Sequence, residues 1–206
     1  MCSEGGVSMK KYTIITISRQ YGSGGREIGE LLSKKLGIPF YDKEIICLAS
    51  KNSGISESFF EHAEESEWGS LIYSIVQGSS FDMPLSDKVY LAYCETVKAF
   101  AKEGPCIMVG CGASEILKDY NTLNIFVYAD IEYRKQRAIK EYGISTSKAL
   151  AYIAKMDKKR ASYYHHYFDK KFGLSKNYDI CIDSGAVGIE KSADIIKDIY
   201  LSLKYN

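Results

Sequence analysis

Gly22, Ser23, Gly24 and Gly25 stand between two arginines, Arg19 and Arg26, and a run of this composition is suited to one kind of chemistry, the holding of an anion. Glycine reaches backbone conformations with φ > 0 and lets the main chain come close to a ligand, so that N–H groups face it. The flanking residues say what presents the run. Tyr12, Ile14, Ile15, Thr16 and Ile17 are aromatic or β-branched and read as a buried strand. From Arg26 onward, Ile28, Leu31, Leu32 and Leu36 recur at the spacing of one helix face. A strand, a glycine turn and a helix start together aim free N–H groups and the positive end of a helix dipole at one point, where phosphate is the natural occupant. A tight turn without a ligand is the plainer alternative, but the glycines and flanking arginines exceed what a turn requires.

The run departs from the pattern G-x-x-x-x-G-K-[ST]. With the strand fixing the register, Gly24 is the glycine before the lysine, Gly25 takes the lysine's place and Arg19 that of the first glycine. With the register slipped by one, Arg26 takes the lysine position and Glu27 that of the Ser/Thr. A guanidinium grips phosphate oxygens with two donors, so Arg26, or Arg19 beside it, is expected to replace the lysine. Mg2+ should be held mainly by phosphates and water, with Glu27 as an optional carboxylate ligand. The expected phosphate-binding set is Arg19, Gly22, Ser23, Gly24, Gly25, Arg26 and Glu27.

The elements that must position this loop follow from periodicity. Ile38 to Tyr41 reads as a second short strand with Asp42 and Lys43 at its carboxyl end, and helices are expected over 43–51 and 56–67. The stretch 68–85 is broken by Gly69, Gly78 and Pro84 and suits a flap over a substrate, so 43–85 is the expected acceptor side. A helix from Ser86 to about Lys102, a strand Cys106 to Val109, a strand Leu123 to Ala129 and a charged helix 130–142 come next. A second charged helix is expected from about Ser147 to Phe168, a last strand from Tyr178 to Ile182, and a closing helix from Gly188 to Leu203. Five buried strands alternating with helices imply an α/β fold, a doubly wound and mostly parallel sheet with helices on both faces. Ligands of such sheets bind at the carboxyl ends of the strands, here the glycine loop, Asp42-Lys43, Gly110-Cys111-Gly112, Asp130 and Asp183-Ser184.

Composition narrows the partners. With 206 residues, 46% of them hydrophobic, the chain has material for one sizeable core, expected as a single domain over 11–206 behind a loose leader at 1–10. Its 27 basic and 26 acidic residues leave a net charge of +1, too little for a broad field that would hold a nucleic-acid polymer or an anionic membrane, so an anionic ligand must be gripped locally. The six cysteines form no C-x-x-C pair, which argues against a zinc site and for reduced thiols in a cytoplasmic setting. No apolar run has bilayer length, and the first eight residues lack a signal-peptide core.

Phosphoryl transfer needs positive charge and donors around the moving group more than covalent help. Arg134 and Arg137 lie three apart on one helix face, and Asp157 and Arg160 three apart on the next helix. Solvated surface pairs are the ordinary alternative for either. Between the two helices, 143–147 offers a hinge at Gly143, so 134–168 is expected to close as a helical lid. His165-His166 has no acidic partner at ligand spacing and reads as surface packing; Gly110-Cys111-Gly112 reads as a loop thiol.

Taken in order, ITISRQYGSGGREIG, IPFYDKEII, IFVYADIEYRKQRA, MDKKRASYY and YDICIDSG resemble the cytidylate kinase-like family of P-loop nucleoside monophosphate kinases, over nearly everything from Lys11 onward. The resemblance implies an ATP-dependent phosphotransferase using Mg2+, with CMP the first acceptor, or another small metabolite, or a nucleotide-binding module that has lost catalysis. It implies Arg134 and Arg137 as catalytic arginines and Asp157 and Arg160, with Asp42, on the acceptor; the reading of the loop adds Arg26 to the first set, and the strand end adds Lys43 to the second. Three positions depart from it: the loop lysine with its Ser/Thr is missing, Leu48 stands where an arginine is expected, and Gly110-Cys111 where Gly-Arg is expected.

Overall fold

The computed structural model describes residues 13–42, 85–110 and 112–204. Lys43, the expected flap and its helices, Leu48, Cys111 and the leader lie outside them. Strand β1 (Ile14–Arg19) runs into helix α1 (Gly25–Leu36), followed by β2 (Phe40–Tyr41). Helix α2 (Leu85–Glu103), strand β3 (Ile107–Val109), the short helix α3 (Ala113–Ile116) and strand β4 (Thr122–Tyr128) come next. Helices α4 (Ile131–Lys140) and α5 (Ala149–Phe168), strand β5 (Ile180–Asp183), the short α6 (Ser184–Val187) and α7 (Ile189–Lys204) complete it.

The strands form one five-stranded sheet in the order β2-β3-β1-β4-β5, and every neighbouring pair is parallel. β1 is central, with Ile15 opposite Ile107 on one side and Leu123 on the other. A strand covered on both faces needs apolar side chains at successive positions, which is why Ile14 and Ile15 are both fully buried. Ile14 packs with Tyr93, Val97, Met108, Leu117 and Tyr163 beneath α2 and α5. Ile15 and Ile17 pack with Ile28, Leu32, Ile196 and Tyr200 beneath α1 and α7. A third cluster, Tyr21, Ala138, Ile153 and Met156, joins the end of β1 to α4 and α5 and so governs the loop.

Several boundaries differ from expectation for local reasons. β2 begins at Phe40 rather than Ile38; Pro39 has no N–H to donate, though its carbonyl accepts from Ile107 N at 2.8 Å. The closing helix, expected from Gly188 to Leu203, is α7 at Ile189–Lys204; the short α6 ahead of it was not expected, and Gly188 at φ 85 separates the two. α3, opened by Gly112 at φ 90, had no periodic signal in only four residues.

Gly29 shows how tightly α1 is seated: a Cβ there would lie 2.7 Å from the Phe40 ring and 2.8 Å from a Val109 methyl. Alanine favours a helix over glycine by about 1 kcal/mol, whereas overpacking a filled core costs about 1 to 3 kcal/mol. Gly29→Ala should therefore lower stability, and a rise in the urea midpoint of that variant would contradict this seating.

Candidate active site

The site is built where β1 ends. Gly24 caps α1 in the left-handed region, φ 78, with no side-chain cap, so the N–H groups of Gly25, Arg26 and Glu27 open the helix without intrahelical partners. Gly22 takes the same conformation, φ 78, and the backbone carbonyl of Arg134 lies 2.7 Å from where its Cβ would be, so both the conformation and the space require glycine. Ser23 is fully buried, its Oγ 2.9 Å from the carbonyl of Gln20 and 3.2 Å from that of Val127. Its own carbonyl accepts from Ser184 Oγ at 2.5 Å, which ties the loop to the carboxyl end of β5.

Helices α4 and α5 reach the loop from above. Arg134, 8% exposed, donates from Nε to Ala129 O (3.1 Å) and from Nη1 to Tyr21 O (3.3 Å) and Asp157 Oδ2 (2.6 Å). Asp157 uses its other oxygen to accept from Tyr21 N at 2.7 Å. Arg160 donates to Arg19 O at 2.9 Å and lies over the Tyr21 ring. The alternative of solvated surface pairs does not hold for these residues: Arg134, Asp157 and Arg160 are turned inward and grip the main chain of the loop. The Tyr21 ring packs edge-on to Tyr152 and tilted to Tyr142, and burial pushes its hydroxyl pKa far above the usual tyrosine value.

Arg137, one turn beyond Arg134, points to the first turn of α1 and pairs with Glu27. Burial works against its charge, but Glu27 and Tyr142 outweigh that and hold its pKa above the ordinary arginine value. Arg19 and Arg26 turn the other way. Arg26 Nε lies 3.1 Å from Asp42 Oδ2 and 3.4 Å from Glu30, and Arg19 lies 3.7 Å from Asp42, so these two cations meet at the end of β2. His165 and His166 are both exposed, with His165 3.8 Å from Asp169 and His166 edge-on to Tyr167. Ser184 and Tyr21 are the loop's partners that no motif announced; the position of Ser184 just past a strand end was the available signal.

This donor set fits a polyphosphate: unshared N–H groups at a helix start, with guanidinium groups on two sides. Among the described residues no three His, Cys, Asp or Glu side chains gather to hold a metal ion. No described helix is long and apolar enough to cross a membrane.

Residues 14–186 match the sequence profile of the cytidylate kinase-like family. The chain belongs to that family. No curated protein sequence matches it. Among solved structures, an uncharacterized protein from Eubacterium ventriosum ATCC 27560 is 26% identical, with a TM-score of 0.68, covering 92% of this chain and 99% of its own. TT1252 from Thermus thermophilus, 18% identical, has a TM-score of 0.56 and covers 94% of this chain and 99% of its own. Shikimate kinase from Acinetobacter baumannii, solved with shikimate, is 15% identical, has a TM-score of 0.54 and covers 96% and 97%. The last two share the fold. Family and fold together support a P-loop kinase, a phosphotransferase that binds a nucleotide.

If the Asp157 carboxylate ties the lid-region helices of this cytidylate kinase-like chain to its loop, Asp157→Asn should leave the nearly buried Arg134 without its charge partner. Breaking a buried pair costs about 3 to 5 kcal/mol, and Asp157 keeps a quarter of its side chain exposed, so the lower end of that range is expected. Glu132→Gln, which breaks an exposed i, i+3 pair with Lys135, should cost no more than about 0.5 kcal/mol. Equal urea midpoints for the two variants would show that Asp157 is not a brace.

Proposed function

We propose that the chain transfers the terminal phosphoryl group of ATP to a small acceptor, and that a nucleoside monophosphate, CMP first, is that acceptor. The observation that carries this is the division of positive charge about the glycine loop. Arg137 lies at the opening of α1, on the side where the donor's phosphates would meet the free N–H groups, while Arg19 and Arg26 converge on Asp42 at the end of β2. Donor and acceptor are both anionic in a nucleotide kinase, so two separate cationic positions are what the chemistry needs.

In this reading the N–H groups from Gly22 to Glu27 and the Ser23 turn cradle the donor phosphates. Arg26, Arg134 and Arg137 spread positive charge along the path of transfer, where charge on the equatorial oxygens grows. Mg2+ would be held mainly by the phosphates and water, with Glu27 as an optional carboxylate ligand, and would supply positive charge against the phosphate oxygens. Asp42 and Lys43 border the acceptor. Asp157 and Arg160 brace the loop in the arrangement described, so a direct role on the acceptor requires their bonds to Tyr21 N and Arg19 O to open, as a lid hinged at Gly143 would allow. A cytoplasmic location, where ATP is available and thiols stay reduced, suits this activity.

One observation favours a second reading, a nucleotide-binding module without catalysis. Gly25 stands at the lysine position, and a Cβ there would lie 2.7 Å from Arg19 Cβ, so no lysine fits without rebuilding the loop. The two readings part on transfer. With labelled ATP, Mg2+ and a panel of acceptors including CMP, other nucleoside monophosphates and hydroxylated metabolites, label should pass to a nucleoside monophosphate. ATP bound with no label passed to any acceptor would favour the module, and transfer only to a non-nucleotide would overturn the acceptor assignment.

A further inference from the structure

The loop has lost its lysine, and the neighbouring cations differ in what they are able to reach. Arg26 is the nearest in sequence, but its Nε is engaged by two carboxylates, Asp42 and Glu30, on the β2 side, and its side chain is 41% exposed. Arg19 turns to the same Asp42. Arg134 spends its donors on two backbone carbonyls and Asp157. Arg137 is different. Its guanidinium carbon is 3.7 Å from the point a Gly24 Cβ would occupy, beside the helix start; its Nε is buried without a hydrogen-bond partner, as is that of Arg26 despite its ion pairs, so it is position over the helix start that sets the two apart. The side chain is 13% exposed and lies over the Tyr133 ring, so it is held in place rather than waving in solvent. What neutralises it there is Glu27, in the first turn of α1.

We infer that Arg137, contributed by α4, does the work of the missing loop lysine, and that Glu27 is its positioning residue, a carboxylate that holds the guanidinium over the loop until phosphate replaces it. This rests on the reading of the loop as a polyphosphate site. A carboxylate and a phosphate oxygen make the same fork of charge-assisted bonds with a guanidinium, so exchange of one for the other leaves Arg137 paired throughout. The exchange also explains an acidic side chain at the mouth of an anion site. Glu27 gains from the helix dipole while the site waits, and it opposes phosphate once phosphate arrives. Arg137 therefore acts on ground-state affinity for the donor's phosphates, as a loop lysine does, and Glu27 sets how much of that affinity is realised.

The test is equilibrium binding of inorganic tripolyphosphate and of ATP, each with and without Mg2+, by calorimetry on the full chain. Glu27→Gln removes the competitor and should tighten metal-free tripolyphosphate binding several-fold. Arg137→Ala should weaken it by roughly 10- to 100-fold, the worth of a hydrogen bond between charged groups, and Arg137→Lys should recover part of the loss. In the double variant Glu27→Gln/Arg137→Ala the gain from Glu27→Gln should be smaller than in the single variant, because only the direct repulsion between carboxylate and phosphate is then relieved and no cation is set free. Thermal midpoints of the single variants, and the Lys variant in particular, separate loss of binding from loss of fold. Unchanged or weaker metal-free binding in Glu27→Gln would overturn the proposal, as would Arg26→Ala losing more affinity than Arg137→Ala. Weaker binding of Glu27→Gln only when Mg2+ is present would overturn it in favour of a metal-ligand role for Glu27. If the wild-type chain binds neither ATP nor tripolyphosphate, the phosphate-loop reading itself fails, an outcome distinct from wild-type binding that the variants leave unmoved.

Discussion

The carboxylate of Asp157, with the Tyr21 amide on one oxygen and the Arg134 guanidinium on the other, ties the crest of the sheet to the helices above it. A glycine-rich loop has few side chains to pack and loses much conformational freedom on folding, so its shape must be imposed from outside. Here the imposition comes from α4 and α5. Arg134 returns to the Tyr21 carbonyl, its own carbonyl sits over Gly22, and Arg160 takes the Arg19 carbonyl. Ser184 closes the other side from the end of β5. The backbone groups that would face a phosphate are positioned by residues more than a hundred positions away.

That dependence links stability to function. Arg134 and Arg160 are nearly buried, and burial of an unpaired charge is costly, so each is matched to an acceptor on the loop or on Asp157. The cations near the surface are matched more loosely: Arg26 shares two carboxylates, and Arg19 reaches Asp42 only at 3.7 Å. Arg26 and Glu30, 41% and 40% exposed, form a pair that contributes little to stability, whereas the Asp157 network is the part that must stay intact for the loop to keep its form. Gly143, between α4 and α5, has φ 65, and a side chain there would meet nothing within 4 Å.

Much of this was legible in the chain. The strand-turn-helix at Ile14 to Leu36 follows from β-branched residues, glycines and the Ile28/Leu32 face, and the parallel sheet follows from buried strands alternating with helices. The inward face of α4 was partly visible in the spacing of Arg134 and Arg137. Which acceptor each arginine selects was not visible, because the Tyr21 to Asp157 bond joins residues 136 positions apart and depends on how two helices dock. Identical spacing sends Arg134 to Asp157 and Arg137 to Glu27, and no local rule separates them. Nor did periodicity reveal α3 or α6, since four-residue helices carry too little pattern to register.

The account's central claim is that the opening turn of α1 is the phosphate site. Backbone amide resonances of the isotope-labelled full chain, followed through a titration with ATP, test it most directly. The account predicts that the amides of Gly24, Gly25, Arg26 and Glu27 shift most and saturate together, as N–H groups that acquire a charged acceptor do. Saturable shifts gathered elsewhere, with these four amides unmoved, would contradict it.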